Sequence, residues 1–350
     1  MPTATEMPAL VWLGPEEMSI RSVPLPELAP GEVLIETSAI GICGSELSGY
    51  LGKNSLRRPP LIMGHEAAGR IVQIGEQTTL ADGSVGAVGT RVTFNPLVVC
   101  GVCDRCRAGR GNLCRQRQLI GAQRPGAFAS YVAVPAAQCW SVPKNLSDTA
   151  ASLAEPLACA VRAVTLTHIS TGEPLLILGA GPIGLFCLAY ARAQGITDII
   201  VSDMLPARLE IARQWGASAV IHARVDDPVQ SVQRLSPGGV AAVIDAVGAT
   251  ATRAQAVQSV VPGGRVVLIG LHDEESLLAA NYLIRQEVAI TGSFAYTSAE
   301  FGTAVAMLRA GQLQPQADWL EERPLAEGAA AFAELVRGAA RATKIVLRTR

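Results

Sequence analysis

Several features are scarce in this chain, and each scarcity argues against a class of protein. Only 8 of its 350 residues are cysteine, which does not suit a disulfide-stapled scaffold, since such scaffolds belong to short secreted chains. The net charge is −1 and the arginines are scattered, so no basic face for nucleic acid is predicted.

Long apolar runs are also missing. No stretch approaches the ~18 uninterrupted apolar residues of a membrane span, and the first residues show neither the basic nor the apolar region of a secretory signal. We therefore expect the protein to lie in the reducing environment of the cytoplasm and not to bind a membrane. Apolar residues nevertheless make up 49% of the chain, ample for large cores, and at roughly 150 residues per domain the length suggests about two domains.

Half of the cysteines are clustered. They are Cys100, Cys103, Cys106 and Cys114. Four thiolates complete a tetrahedral zinc site and leave no position for a substrate, so this spacing predicts a structural zinc. The alternative is a disulfide pair or idle buried thiols.

A second set of metal-ligand types lies upstream. Cys43 stands in Gly-Ile-Cys-Gly-Ser-Glu, and His65 and Glu66 follow Gly64. A site built from one thiolate, one imidazole and a carboxylate can keep a coordination position open for chemistry. Two sets with different ligands indicate two metal sites with different roles.

The chain changes character after Leu153. The first 150 residues have short apolar runs bounded by Gly, Pro and Asp, which is typical of β-structure. Beyond that point aliphatic strands alternate with helical patterns, and this predicts an α/β fold with a doubly wound parallel sheet. The predicted strands are Leu175–Leu178, Asp198–Ser202, Ala219–Ile221, Ala242–Asp245, Arg265–Ile269 and Val288–Thr291. After about Ala295 come two helical stretches and a last strand, Lys344–Leu347, which would close back on the first domain and make it discontinuous.

A Gly-x-Gly-x-x-Gly run follows the first of these strands and opens a helix predicted over residues 182–194. In that context it predicts a dinucleotide site. The first glycine permits a tight turn, the second lets a pyrophosphate approach the backbone, and the third lets helix and strand pack closely. The helix N-terminus offers free N–H groups to the phosphates. A glycine-rich turn without a ligand is the alternative. The residues are Gly179, Gly181, Pro182, Ile183 and Gly184.

Asp203 stands at the end of the next strand, about 20 residues on. A carboxylate there can accept hydrogen bonds from both ribose hydroxyls and would repel a 2′-phosphate, so NAD is favoured over NADP. A helix cap near Leu205 is a compatible second role. Arg208 is a candidate for the same ribose or a solvated helix residue.

Taken in order along the chain, these motifs resemble the zinc-dependent medium-chain dehydrogenases, the alcohol dehydrogenase superfamily. The resemblance covers essentially the whole chain, and Gly64-His65-Glu66-Ala-Ala-Gly69 with Gly75 matches the family's zinc motif. It implies a Rossmann domain over residues 154–295 and a mainly β, GroES-like catalytic domain over 1–153 and 296–350, with a zinc lobe at 97–117. It also implies a homodimer or homotetramer.

Within the family the chain looks closer to the sorbitol, threonine and sugar-alcohol-phosphate dehydrogenases. Glu155, in Ala-Glu-Pro-Leu-Ala, stands where many alcohol dehydrogenases place a zinc cysteine. The resemblance thus implies a catalytic zinc on Cys43, His65 and Glu155, with Glu66 able to enter or leave the shell. Cys159 is a rival ligand that falls outside the family register.

Further roles come from the same resemblance. Ser45 matches the hydroxyl that carries the substrate proton away, and Glu46 replaces an aspartate that hydrogen-bonds the zinc histidine. Ser48 stands where some members have a proton-passing histidine. The resemblance adds dinucleotide contacts at Val247, Ile269 and Phe294.

The residues that line the substrate pocket have no distinctive motif. Phe128, Phe294 and Tyr296 fall where the family places pocket walls, although core packing explains aromatic residues equally well. Ala295 stands where sorbitol-type members often carry arginine. Three arginines, Arg57, Arg58 and Arg124, could meet an anionic substrate, but solvated surface positions are the simpler interpretation.

The expected function is transfer of a hydride between a secondary alcohol and NAD with one catalytic and one structural zinc per chain. The alcohol would be a polyol, a sugar alcohol or its phosphate, and the product a ketone. Alternatives are a threonine-type or an aryl or aliphatic alcohol dehydrogenase, and a non-catalytic protein that retains the fold.

Overall fold

A computed structural model describes residues 5–74, 78–313, 319–338 and 342–349, and the chain divides into two compact units. One unit joins Met1–Glu155 with Thr297–Arg350, and the other is Pro156–Tyr296. The chain therefore leaves the first unit once and returns to it near its C-terminal end. Assignment of catalysis to one unit and of cofactor binding to the other stays a prediction.

The first 155 residues form short strands with few helices. The strands are β1 Glu6–Gly14, β2 Glu17–Pro24, β3 Glu32–Gly41, β4 Leu61–Ile62, β5 Glu66–Ile74, β6 Thr78–Thr79, β7 Val85–Gly86, β8 Arg91–Phe94, β9 Leu97–Val98, β10 Gln118–Leu119, β11 Tyr131–Pro135 and β12 Cys139–Ser141. The helices that begin in this part are α1 Gly44–Tyr50, α2 Asp104–Arg107, α3 Asp148–Ser152 and α4 Ala154–Thr167.

The second unit is a six-stranded sheet flanked by helices. Its strands are β13 Leu175–Leu178, β14 Ile199–Asp203, β15 Ala219–His222, β16 Val240–Asp245, β17 Val260–Leu268 and β18 Ala289–Gly292. Its helices after α4 are α5 Pro182–Ala193, α6 Pro206–Gln214, α7 Pro228–Leu235, α8 Thr250–Ser259 and α9 Ala280–Gln286. The sequence had not predicted α9.

All neighbouring strands of this sheet run parallel, in the order β15-β14-β13-β16-β17-β18. This is the doubly wound dinucleotide-binding order, and the direction of winding changes between β13 and β16. The four side chains of β13 are all buried, as expected for a central strand covered by helices on both faces. The predicted α/β class is confirmed.

The chain returns to the first unit through α10 Ser298–Arg309, β19 Leu320–Pro324, α11 Gly328–Arg337 and β20 Lys344–Arg348. Thr297 caps α10 in a capping box with Glu300, whose carboxylate accepts the Thr297 N–H at 2.6 Å. In the seven-stranded sheet β20 lies between β3 and β19. This register places Lys344, from the end of the chain, beside residues of the first fifty.

The core of the first unit fills the space between its strands and α11. Phe332 packs edge-on against Phe128 with ring centroids 5.7 Å apart, and against Tyr50 at 5.5 Å. Phe128 is fully buried in this cluster, so its aromatic ring is explained by core packing. Across the described part of the chain, no helix is long and apolar enough to span a bilayer.

Candidate zinc and dinucleotide sites

Three metal-ligand side chains meet where β3 ends and β5 begins. Cys43 is the residue before α1, His65 is the residue before β5, and Glu66 is the first residue of β5. Ligand atoms of the three lie within 4.8 Å of one another. Gly41 pairs with Glu66 across the two strands, and a Cβ at Gly41 would lie 2.1 Å from Glu66 Oε2. Only glycine therefore leaves room for this carboxylate.

Glu46 connects two of the segments that carry these ligands. It is fully buried, its Oε1 accepts the Gly64 N–H at 2.8 Å, and its Oε2 accepts the Cys43 N–H at 3.0 Å. Burial alone would raise the pKa of Glu46, but His65, Arg57 and the Cys43 N–H together hold that pKa below its ordinary value. Glu46 is therefore a carboxylate at neutral pH.

The ionised Glu46 determines the protonation of the histidine. His65 Nδ1 lies 2.8 Å from Glu46 Oε1, so Nδ1 must be the donor and Nε2 is left for a metal. Burial alone would lower the pKa of His65, but Glu46 and Cys43 raise that pKa well above its ordinary value. The longer glutamate side chain thus makes the contact that the family's aspartate was expected to make.

Glu66 forms a buried ion pair. Its Oε2 accepts a hydrogen bond from Lys344 Nζ, which also donates to the Ile42 carbonyl at 2.9 Å. Burial disfavours the charged ammonium, yet Glu66 and Cys43 raise the pKa of Lys344, so it stays charged. Lys344 was not predicted to be a site residue; the signal in the sequence is a lysine that opens an otherwise aliphatic strand.

Ser45 lies beside Cys43 and is held by an arginine. Its hydroxyl is 3.5 Å from Cys43 Sγ and accepts a hydrogen bond from Arg57 Nη2 at 3.3 Å. Arg57 is only 4% exposed, so its interpretation as a solvated surface arginine was wrong. Arg58 is exposed as expected, whereas Arg124 is partly buried in an ion pair with Glu32.

Glu155 lies in the first turn of α4 and is buried. The helix begins at Ala154, so Glu155 lies inside its first turn and is not its cap. Among the described residues, the group at this site whose ligand atoms all lie within 4.8 Å of one another consists of Cys43, His65 and Glu66, and it does not include Glu155. The assignment of Glu155 as a zinc ligand therefore stays a prediction.

The four clustered cysteines form a second ligand group. Their sulfur atoms all lie within 4.8 Å of one another, with Cys103–Cys106 and Cys100–Cys114 at 3.5 Å and Cys100–Cys106 at 3.9 Å. Disulfide sulfurs would be bonded at about 2 Å, whereas thiolates around one tetrahedral zinc are separated by about 3.8 Å. The arrangement fits zinc and argues against the disulfide alternative.

Backbone N–H groups support these thiolates. The N–H groups of Cys100 and Gln116 point at Cys114 Sγ, at 3.5 and 3.4 Å. The N–H of Cys106 and neighbouring thiols lower the pKa of Cys103 to about 6. Charge-stabilising donors around sulfur are what a zinc-thiolate site requires.

The glycine-rich turn has the geometry of a phosphate cradle. Gly179 has φ +98°, in the left-handed region, and a Cβ at Gly184 would lie 1.8 Å from the Gly179 carbonyl oxygen. Gly181 is the cap of α5, and a Cβ there would meet nothing closer than Arg208 Nη1 at 4.0 Å. Pro182 opens the helix and Ile183 follows. The open side at Gly181 leaves space for a pyrophosphate.

Asp203 joins this turn to the next strand. Its Oδ2 accepts the Ala180 N–H at 2.7 Å and its Oδ1 accepts the Leu205 N–H at 2.9 Å. Arg208 Nη1 stands 3.9 Å from the same carboxylate. The carboxylate thus supports the turn and the entry to α6, in addition to any ribose contact.

The other predicted dinucleotide contacts lie on connections that follow strands of this sheet. Val247 follows β16, with its Cγ2 2.7 Å from where a Cβ at Gly179 would stand. Ile269 follows β17, and its N–H bonds to the Asp245 carbonyl at 3.0 Å. Phe294 follows β18 and is 41% exposed, while Tyr296 is buried. The carboxyl edge of a doubly wound sheet is where such ligands bind.

Models of known protein families match both the segment that carries the two candidate metal-ligand groups and a segment that begins within the glycine-rich turn. The family model of the alcohol dehydrogenase GroES-like domain matches residues 29–144, and that of the zinc-binding dehydrogenase domain matches residues 182–310. L-threonine 3-dehydrogenase of Pyrococcus horikoshii is 39% identical over 266 residues, covering 75% of each chain. This chain belongs to the zinc-type alcohol dehydrogenase family.

Two other members of the zinc-type alcohol dehydrogenase family extend the comparison. Sorbitol dehydrogenase of Bacillus subtilis is 34% identical over 299 residues, 83% of each chain. A solved structure from Sinorhizobium meliloti 1021, assigned as a zinc-binding dehydrogenase and bound to NADP, has a TM-score of 0.89 at 30% identity over 99% of this chain and 100% of its own. This chain is accordingly an oxidoreductase of a family that uses zinc and a nicotinamide dinucleotide.

Proposed function

We propose that this protein is an NAD-linked dehydrogenase acting on a secondary alcohol of a polyol, a sugar alcohol or a sugar-alcohol phosphate, and that the product is the ketone. The observation that carries the proposal is the convergence of Cys43, His65 and Glu66 with the Ser45 hydroxyl beside them. A four-thiolate site alone would have argued for a structural metal only.

The residues present fit a catalytic zinc. When bound, zinc lowers the pKa of a coordinated hydroxyl and so favours loss of a hydride to the nicotinamide. Cys43 and His65 would hold the metal together with the predicted ligand Glu155, and Glu46 orients the His65 ring. Ser45 receives the proton of the substrate hydroxyl and releases its own toward solvent.

Asp203 supports the preference for NAD. Its carboxylate stands at the end of β14 beside the glycine-rich turn, where a 2′-phosphate would be repelled. Arg208, at 3.9 Å, partly offsets this charge, and the relative from S. meliloti was solved with NADP. The ratio of kcat/KM for NAD over NADP measures this preference directly.

Glu155 and the relatives support the polyol branch. A glutamate at this position is the sequence feature of that branch, and a sorbitol dehydrogenase is among the relatives. Ala295 argues against a strict sorbitol enzyme. The second candidate is an amino-alcohol substrate, favoured by the threonine dehydrogenase at 39% identity.

A substrate panel tests the proposal. Wild-type, zinc-loaded enzyme is assayed for reduction of NAD and NADP with polyols, sugar-alcohol phosphates, threonine and simple alcohols, with Cys43→Ala as the inactive control. The highest kcat/KM is expected for NAD with a polyol or sugar derivative. A highest value with threonine would select the second candidate, and turnover of no alcohol would select the non-catalytic alternative.

We also propose that the protein is a cytoplasmic homodimer or homotetramer. Large apolar side chains are exposed on the connection that leads from β17 to β18, the last strand in the order of its sheet. They are Leu271, Leu277, Tyr282 and Ile284. An exposed edge strand flanked by apolar surface is a self-association site, and light scattering of the purified protein measures the mass.

A further inference from the structure

Arg57 is a buried cation that donates hydrogen bonds to both the backbone carbonyl and the side-chain hydroxyl of Ser45, the proton-carrying serine. It follows α1, and its guanidinium donates to the Ser45 carbonyl at 3.0 Å, to Ser45 Oγ at 3.3 Å and to the Gly121 carbonyl at 3.2 Å. Burying a guanidinium is costly unless its donors are used. Two of these three hydrogen bonds go to one residue, Ser45.

The helix that carries Ser45 is shaped to admit this side chain. Gly49 is buried on α1, and a Cβ there would lie 2.7 Å from Arg57 Cδ. Any larger residue at position 49 would therefore push the guanidinium away from Ser45. Burial raises the pKa of Glu46, and the same Arg57 charge helps His65 to hold that pKa below its ordinary value.

The hydrogen bond from Arg57 restricts how the serine hydroxyl can turn. A hydroxyl has one donor and two acceptor positions. Because an arginine can only donate, Ser45 Oγ must be the acceptor in this contact, and its own hydrogen points elsewhere. It is donated to the Cys43 sulfur, 3.5 Å from Ser45 Oγ.

We propose that Arg57 is a positioning residue that holds the Ser45 hydroxyl in the orientation needed for proton removal from the substrate. The inference rests on the proposed alcohol oxidation, in which the substrate loses a hydride to NAD and its hydroxyl proton through Ser45 to solvent. Arg57 touches neither substrate nor dinucleotide in this role. It limits Ser45 to one rotamer, so that one lone pair of Oγ is already free to accept the substrate proton.

A purely structural role for Arg57 is the competing explanation. The hydrogen bonds to the Ser45 and Gly121 carbonyls would brace the loop after α1 whether or not the hydroxyl mattered. A double-mutant cycle separates the two explanations, because a bracing residue acts independently of the Ser45 side chain whereas a positioning residue acts through it.

The experiment compares zinc-loaded wild type with Arg57→Gln, Arg57→Lys, Ser45→Ala and the Arg57→Gln/Ser45→Ala double variant. Arg57→Gln should lower kcat about 10- to 100-fold with little change in KM for NAD, and Arg57→Lys should recover part of the loss. In the Ser45→Ala background the same substitution should change kcat less than about twofold. Arg58→Gln, at the exposed neighbour, should behave as wild type.

The proposal is overturned in favour of bracing if Arg57→Gln lowers kcat by the same factor in wild type and in Ser45→Ala and also lowers the melting temperature or the zinc content. Crystal structures of wild type and Arg57→Gln give a readout that does not depend on turnover. Spread of the Ser45 side chain over several rotamers in Arg57→Gln supports positioning, and an unchanged Ser45 overturns it. If no alcohol is oxidised by wild type, the proposed function fails, while this crystallographic comparison still decides the role of Arg57.

Discussion

Glu46 Oε1 lies 2.8 Å from His65 Nδ1, and this contact couples the first turn of α1 to the segment that opens β5. The same carboxylate also accepts the N–H groups of Cys43 and Gly64. One buried side chain therefore fixes the backbone on both sides of the candidate catalytic metal as well as the ring of its histidine ligand.

Glu46→Gln should weaken the catalytic zinc while sparing the four-cysteine zinc. The amide retains the shape of the side chain but lacks the charge that orients and polarises His65, so we expect affinity to fall by about 10- to 100-fold. Competition with a chelator measures it, and the exposed Glu17→Gln is the matched control. Unchanged affinity would mean that the His65 ring is held by other contacts.

Cys103→Ser should remove one zinc per chain and lower stability before it alters chemistry. The three remaining sulfurs no longer complete the tetrahedron, and the binding energy of a structural zinc is folding energy. Elemental analysis should fall from two zinc ions to one, and the melting temperature should fall with it. Arg110→Gln, an exposed change in the same lobe, should keep two. Wild type purified without chelator and lacking zinc would refute the two-metal assignment.

Asp203→Ala should relax the choice of dinucleotide. Loss of one carboxylate beside the ribose removes repulsion of a 2′-phosphate and releases Arg208, so the ratio of kcat/KM for NAD over NADP should fall about tenfold or more. Asp203→Ala combined with Arg208→Gln should recover part of the ratio. A wild-type enzyme that already prefers NADP would contradict the role assigned to Asp203.

Lys344→Met should destabilise the first unit strongly. It leaves the Glu66 carboxylate buried without its ammonium partner, and breaking a buried pair in this way costs about 3–5 kcal/mol. Urea unfolding of the zinc-loaded protein measures the change. Glu66→Gln combined with Lys344→Met should recover much of the loss, because neither side chain of the former pair then carries a charge. A change below about 1 kcal/mol would show that Glu66 finds another partner.

The alternating pattern after Leu153 was sufficient to predict the parallel sheet, because a central strand such as β13 is buried on both faces and must be aliphatic throughout. The two groups of candidate metal ligands that the structure brings together were likewise predictable from residue type and spacing. Both signals are local, so a single sequence carries them.

Arg57 and Lys344 were not predictable in the same way. Lys344 meets Glu66 only because β20 joins the sheet next to β3, which brings together residues 278 positions apart. Arg57 resembles a surface arginine in sequence, and its burial depends on the space left at Gly49. Contacts of this kind are set by strand register and packing, which leave no local pattern.

Glu155 should be essential to the catalytic metal, and its replacement separates the two explanations of a buried carboxylate at the start of α4. If Glu155 is a ligand, Glu155→Ala should lose the catalytic zinc and keep the four-cysteine zinc, halving the metal content. Because a carboxylate is a harder ligand than a thiolate, Glu155→Cys should retain zinc and bind it with a greater preference over hard cations such as Mg²⁺ and Mn²⁺.

If Glu155 instead only complements the dipole of α4, where an acidic residue in the first turn is favourable, then Glu155→Gln should cost about 0.5–1 kcal/mol of stability and leave both metals bound. Glu173→Gln, at an exposed glutamate, controls for the loss of one negative charge elsewhere in the chain. Metal content and unfolding free energy measured on the same samples decide the matter: retention of two zinc ions in Glu155→Ala would refute the ligand role and remove the main argument for the polyol branch.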